Sequence, residues 1–218
     1  MPSEFGALHK TENQFMKTRH VVCVVAGIVL AICASRYVSA QGSNGAGAAQ
    51  AQAPQQPQTL ASVVDRDLSN AEKRLIEVAE AMPESKYSFS PEALNVAGSD
   101  FKGVRTFAAQ LKHVAASNYY YWAPMTGDKF PDDYTGEEGP ASVKSKADII
   151  KFLKDSFVLG HKAVATLTTE NMLQAPEGSK SPRLRLAEFA VAHCFDHYGQ
   201  MVEYLRMNGI VPPASKGQ

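Results

Sequence analysis

From Leu60 onward, apolar side chains return every three or four positions, in four separate runs. In the first, Leu60, Val64, Leu68, Ala71, Leu75, Val78 and Met82 keep that spacing, which places them on one face of an amphipathic helix. Pro83 follows and ends the run, because its ring cannot continue a helix. The second run extends from about Val104 to Trp122, with Val104, Phe107, Leu111, Val114 and Tyr121 as its apolar stripe. The third extends from about Lys144 to Leu167, with Ile150, Leu153, Phe157, Gly160, Val164 and Leu167 facing inward. The fourth opens at "SPRLRLAE", where Ser181 suits the N-cap and Pro182 the first helical position. Its inward seam reads Leu186, Ala190, His193, His197, Gln200, Tyr204 and Met207, and Asn208-Gly209 stops it. No alternating pattern long enough for a strand occurs. The spacing predicts an all-α fold, a four-helix bundle.

The connections differ in kind. Gly98 and Gly103 break the segment 87–103. The stretch 123–142, "APMTGDKFPDDYTGEEGPAS", is rich in Gly, Pro and Asp. It makes a long loop between helices two and three, expected to cover an opening or to carry the chain across the bundle.

The chain upstream of the first helix has a different character. The basic "MKTRH" (16–20) precedes an apolar run at 21–34, and Val38 and Ala40 give a small-residue cleavage pattern. A secretory signal cleaved after Ala40 is expected, with Met16 as its start. The apolar run has 14 residues, short of the roughly 20 needed to span a bilayer; an uncleaved anchor is the alternative. Residues 41–58 carry no charge and no large apolar side chain, so they are expected to be a disordered linker. The organisation is then an N-terminal extension plus signal peptide (1–40), linker (41–58), bundle (59–213) and tail (214–218). The expected location is periplasmic or secreted, with membrane contact only if the signal is uncleaved.

Composition narrows the function. Acidic and basic residues number 22 each, which argues against a nucleic-acid surface. Removing residues 1–40 takes away Lys10, Lys17, Arg19, Arg36, Glu4 and Glu12, leaving a net charge of −2. No phosphate-cradling glycine loop or paired CxxC framework is present. Cys23 and Cys33 lie in the signal, so Cys194 alone remains; without a partner it is expected to be buried.

Candidate chemistry sits on helices two and four. Beside the apolar stripe of helix two runs a polar line, Thr106, Gln110, His113, Ser117 and Tyr120, which is either a solvated face or the wall of a site. On helix four, His193 and His197 stand one turn apart on the core-facing line. Two hydrogen-bonded core histidines would explain them. So would two ligands of one ion, since side chains at i and i+4 lie over one another. Burying two imidazoles without partners costs a few kcal/mol, by order of magnitude, and His113 offers a third ligand from a facing helix. Cys194 stands where a zinc peptidase of the HExxH type has its glutamate base, which argues against that chemistry.

"FAAQLKHVAASNYYYW" (107–122) and "AHCFDHYGQMVEYLRMNGIVPP" (192–213) together resemble the DinB/YfiT-like superfamily of metalloenzymes. The likeness covers about residues 60–213. It implies a four-helix bundle holding a divalent metal, zinc or nickel, with His113, His193 and His197 as ligands. Gln200 matches the glutamine after the last histidine, whereas Tyr198 departs from the arginine often found there. Gln110, Gln200 and Tyr120 are expected around the same pocket. The expected function is an exported metal-dependent enzyme, hydrolase or transferase in type, with an open fourth coordination position and a small-molecule substrate. The alternatives are a metal-binding bundle without catalysis, or a thiol-dependent S-transferase if the protein is cytoplasmic. A homodimer is compatible with all three.

These readings require His113 to lie opposite the helix-four pair, with ring nitrogens within about 3–4 Å of one another and Gln200 at the edge. Glu188 and Glu203 are candidates to orient the ligands. His161 is expected at the surface or a boundary, with a fourth ligand as the lesser alternative. Asp196, about 100° around the helix from His197, is not expected to be a ligand. Gly199 is expected at a close helix approach, and Tyr119 to Trp122 in packing at the bundle end, with a substrate wall as the alternative.

Overall fold

The computed structural model describes residues 57–217. The expected signal and residues 41–56 of the expected linker lie outside the described residues. Four α-helices form the architecture: α1 (Leu60–Ala81), α2 (Phe107–Thr126), α3 (Lys146–Val164) and α4 (Arg183–Met207), with short 3₁₀ turns at Glu84–Lys86, Pro91–Leu94 and Pro213–Ser215. No strand occurs among the described residues, and no described helix is long and apolar enough to cross a membrane.

Local chemistry fixes the helix starts. Thr59 and Ser62 form a reciprocal capping box on α1, and Ser145 with Asp148 does the same on α3. Each box satisfies amide groups that the first turn leaves without partners. The second helix begins three residues later than its apolar spacing predicts, because Thr106 is its N-cap and accepts from the Ala109 amide at 3.2 Å. The amides of Phe107 and Ala108 are taken by the carbonyls of Phe89 and Tyr87. Val104 therefore lies outside the helix and is 37% exposed. The helix also runs past Trp122 to Thr126, with Pro124 in its last turn, until Gly127 closes it in the left-handed region at φ 75°. On α4 the expected Ser181 cap does not form: Pro182 occupies the N-cap position without a side-chain hydrogen bond.

Packing sets which helices face each other. Helix α2 lies against α3 and α4, and α1 lies against the same two helices. Consecutive helices α1 and α2 are therefore diagonal, as are α3 and α4. The long loop does not cross the bundle, since α2 and α3 are neighbours. Instead it folds back over α2, where the Tyr134 hydroxyl donates to the Ala116 carbonyl at 3.1 Å.

The core contains Leu68, Leu75, Phe107, Leu111, Trp122, Leu153, Phe157, Met201 and Leu205, all fully buried. Gly160 admits Trp122: a Cβ there would sit 3.0 Å from the indole Nε1 and 3.1 Å from Leu68. Gly199, expected to play that part, faces open space. On α4 the predicted seam is buried at Leu186, Ala190, His197 and Tyr204, and the core extends beside it to Ala187, Cys194, Met201 and Leu205, while Met207 is left 38% exposed. Cys194 is buried, as expected. Its thiol donates to Asn118 Oδ1 at 3.4 Å, and burial pushes its pKa up to about 12, which makes it a packing group rather than a nucleophile.

Candidate metal centre

His197, buried, and His193, half-buried, lie on the side of α4 that faces α2. That helix has both its lines covered, so Gln110, His113 and Ser117 are buried as well as the apolar stripe. His113 thereby meets the α4 pair. The Nε2 atoms of His113 and His193 are 3.2 Å apart, and those of His193 and His197 3.1 Å. One ligand atom from each of the three lies within 4.8 Å of the others. Three nitrogens at roughly 2.0–2.1 Å from a tetrahedral ion stand about 3.3 Å apart, so the spacing fits.

The other ring nitrogens fix which atom is free. His113 Nδ1–H donates to the Glu137 carbonyl at 3.0 Å. His197 Nδ1–H donates to Gln110 Oε1 at 2.7 Å; Gln110 Nε2 donates to Gln200 Oε1 at 2.8 Å, and Gln200 Nε2 to Asp196 Oδ2 at 3.0 Å. The polarity of that relay follows from its end. An ionised carboxylate only accepts, so Asp196 turns each amide one way and obliges His197 to donate from Nδ1. In His113 and His197, Nε2 is then a bare lone pair, and both lone pairs point at His193. One N–H of His193 can serve at most one of them, and its own Nδ1 is buried without a partner. A cation at the convergence point satisfies all three nitrogens, and hydrogen-bonded Nδ1 groups are the usual support for such ligands.

A family model described as the DinB superfamily matches residues 67–201. The chain belongs to the DinB superfamily. A solved structure of a DinB-like protein from Bacillus cereus ATCC 10987 is similar to it, with 15% identity, a TM-score of 0.49, and coverage of 72% of this chain and 97% of that chain. No curated protein matches. In this DinB-superfamily chain the matched segment contains all three histidines, Gln110 and Gln200.

Electrostatics favour neutral rings at the centre. The pKa values of His193 and His197 are both lowered to about 4, by burial first and then by the neighbouring imidazoles. Neutral imidazole is the form that binds metal. The expected pocket residues divide. Gln110 and Gln200 belong to the relay, whereas Tyr120 is 59% exposed and reaches His193 only through Tyr121. Tyr121 and Phe189 are the aromatic neighbours of His193, each with its ring centroid 6.2 Å away. Tyr119 stacks on Phe152, and Trp122 is fully buried in the core.

The expected orienting carboxylates do not take part. Glu188 and Glu203 are exposed, and Glu188 faces Arg185 at 3.9 Å. The Glu137 carbonyl was not foreseeable from side-chain types, because a main-chain acceptor leaves no residue signature. Asp196 reaches the centre indirectly through two amides, from a position about 100° around the helix from His197. Tyr198 turns to α1, where its hydroxyl lies 3.5 Å from Arg74 Nη1.

Proposed function

We propose that the chain is an exported metal-dependent enzyme, hydrolytic or group-transferring, acting on a small molecule. His113, His193 and His197 would hold one divalent ion, zinc or nickel, and leave a position open to substrate. The observation behind this is the convergence of three Nε2 atoms, two of them committed as lone pairs by hydrogen bonds at Nδ1. When bound, a divalent ion supplies Lewis acidity to a substrate oxygen or sulfur.

The chain's own residues do the rest. The Glu137 carbonyl and the relay from Asp196 hold two rings in one tautomer. Arg105 anchors the loop that bears Glu137 by pairing with Glu137 at 3.3 Å and Glu138 at 3.1 Å. Tyr121 and Phe189 pack beside the His193 ring, each with its centroid 6.2 Å away. Cys194 offers no nucleophile, being turned into the core with its proton held.

Metal analysis of protein purified with zinc, nickel and cobalt supplied tests the centre. The expected result is one ion per chain, and a cobalt spectrum that changes when azide or a small thiol is added. Absence of bound metal sinks the proposal. A bound ion that no small ligand perturbs leaves a metal-binding bundle without catalysis. Export is tested by N-terminal sequencing, which should find Gln41 first. Cytoplasmic protein retaining residues 16–40 would overturn export and favour the thiol-dependent transferase.

A further inference from the structure

A cleft of about 640 Å³ lies beside the histidine centre, between the end of α2, the start of α4 and the segment before it. Tyr120, Tyr121, Phe130 and Phe189 line it, with Lys180 and Arg185 as its charged residues. Tyr121 and Phe189 are 5.1 Å apart by ring centroids and both neighbour the His193 ring. The cleft therefore ends on the same two rings that flank the centre.

Its lining has a definite chemistry. Rings on several sides favour a flat apolar body, which can stack or meet them edge-on. Both charges are positive, and no carboxylate lines the cleft. The Arg185 guanidinium carbon lies 4.6 Å over the Phe189 ring, which places the cation beside the apolar wall of the cleft. Its nearest carboxylate, Glu188, is 3.9 Å away, with the two side chains 54% and 70% exposed. Such a pair binds weakly, and the Arg185 guanidinium makes no hydrogen bond among the described residues. A planar fork of donors beside an apolar slot matches an anionic oxygen group, carboxylate or phosphate.

We propose that this cleft is the substrate subsite of the centre and takes a small flat apolar molecule bearing one anionic oxygen group, held by Arg185 with Lys180 beside it. The apolar body would lie against Tyr121 and Phe189, the two rings that adjoin His193. This rests on the catalytic role proposed for the centre, but the binding itself does not require a metal.

The test is a titration of metal-free and zinc-loaded protein with phenylacetate, phenyl phosphate and neutral phenylacetamide, followed by residue-resolved NMR. Both anions should give saturable shifts at Tyr121, Arg185 and Phe189 in the metal-free protein, and the tighter of the two names the preferred group. Phenylacetamide should bind about tenfold more weakly or worse, and Arg185→Gln should weaken the anions by a similar factor. Equal binding of the amide, an unchanged affinity in Arg185→Gln, or shifts confined to other surfaces would overturn the proposal. Zinc content measured in the same samples separates the two ideas. Zinc without probe binding ends the cleft proposal alone, and probe binding without zinc uptake ends the metal centre alone. Circular dichroism of Arg185→Gln, a substitution at an exposed position, checks that the fold is kept.

Discussion

The bundle holds two histidine clusters on opposite helix pairs. Between α2 and α4, three imidazoles face one another, and no carboxylate hydrogen-bonds to any of them. Between α1 and α3, His161 stands alone among carboxylates: Nδ1 lies 2.6 Å from Asp65 and Nε2 3.0 Å from Glu72. Burial disfavours the charged form at both places. At the first it prevails, assisted by the like neighbours, and the pKa values of His193 and His197 fall to about 4. At the second, hydrogen bonds and charge from Asp65 and Glu72 outweigh it, and the pKa of His161 rises. One site thus has converging lone pairs suited to a cation, while the other favours the protonated ring and links α1 to α3. Histidine alone does not distinguish a ligand from an ion-pair partner; the groups at the second ring nitrogen do.

The strongest way to break that contrast is to remove rings one at a time. Replacing His113, His193 or His197 with Ala should lower zinc affinity by about 100-fold or more, since four ligands share an apparent free energy of roughly 10–16 kcal/mol in known sites. His161→Ala should leave zinc affinity unchanged. Competition with a chromophoric chelator measures both. A drop for His161→Ala comparable to that for His193→Ala would mean that the two clusters are not different in kind.

Acid should act on the centre next. In metal-free protein the unfolded chain protonates its histidines near 6.5, whereas His193 and His197 resist until about pH 4. Between those values the unfolded state binds more protons, so stability falls as pH falls through that window. The loss should be about 3 kcal/mol for one such group, reached only near pH 4. Denaturant titrations from pH 4 to 7 measure it, and His197→Gln should flatten the decline. A curve that is unchanged in the variant would show that the centre is not held neutral.

The relay gives a smaller effect on metal alone. Gln110→Leu removes the acceptor that commits His197 to its tautomer, and loss of such support typically lowers metal affinity by about 10–100-fold. Gln200→Leu should act in the same direction but less, because Gln110 remains. Wild-type affinity in Gln110→Leu would mean that packing, not the relay, orients the ring.

The fold and the three rings were legible because both follow from periodicity. Four apolar stripes give four helices, and a turn's spacing fixes His193 over His197. His113 was harder, since α2 has two lines at helical spacing and sequence does not say whether one or both are covered. Both are, because α2 packs on α3 and α4 at once and the long loop closes over it. The same sequence misled where one local signal hid another or a tertiary contact decided the packing. Thr106 reads as part of a polar line but caps the helix. Gly199 reads as a close approach, yet the tight position is Gly160, where Trp122 fills the space. The relay was partly visible as Gln110 and Gln200, but its direction depends on Asp196, and its counterpart at His113 is a main-chain carbonyl 24 residues away.

The smallest effect belongs to His161, and its sign is opposite. Its folded pKa lies above the ordinary 6.5, so the folded state holds the proton more tightly than the unfolded chain does. The stabilisation is fully present below about pH 6.5 and is lost as pH rises through the folded value. It should be no more than about 1 kcal/mol, as for other solvent-reached pairs, because the side chains of His161, Asp65 and Glu72 are 31%, 46% and 29% exposed. His161→Gln should therefore remove a shallow decline in stability on the alkaline side and leave the acid-side decline intact. Asp65→Asn should retain part of the decline through Glu72. Denaturant midpoints between pH 6 and 9, compared for the wild type and both variants, read the difference. If the His161→Gln curve runs parallel to wild type over that range, His161 is not a charged tie between α1 and α3, and the opposition between the two clusters reduces to burial alone.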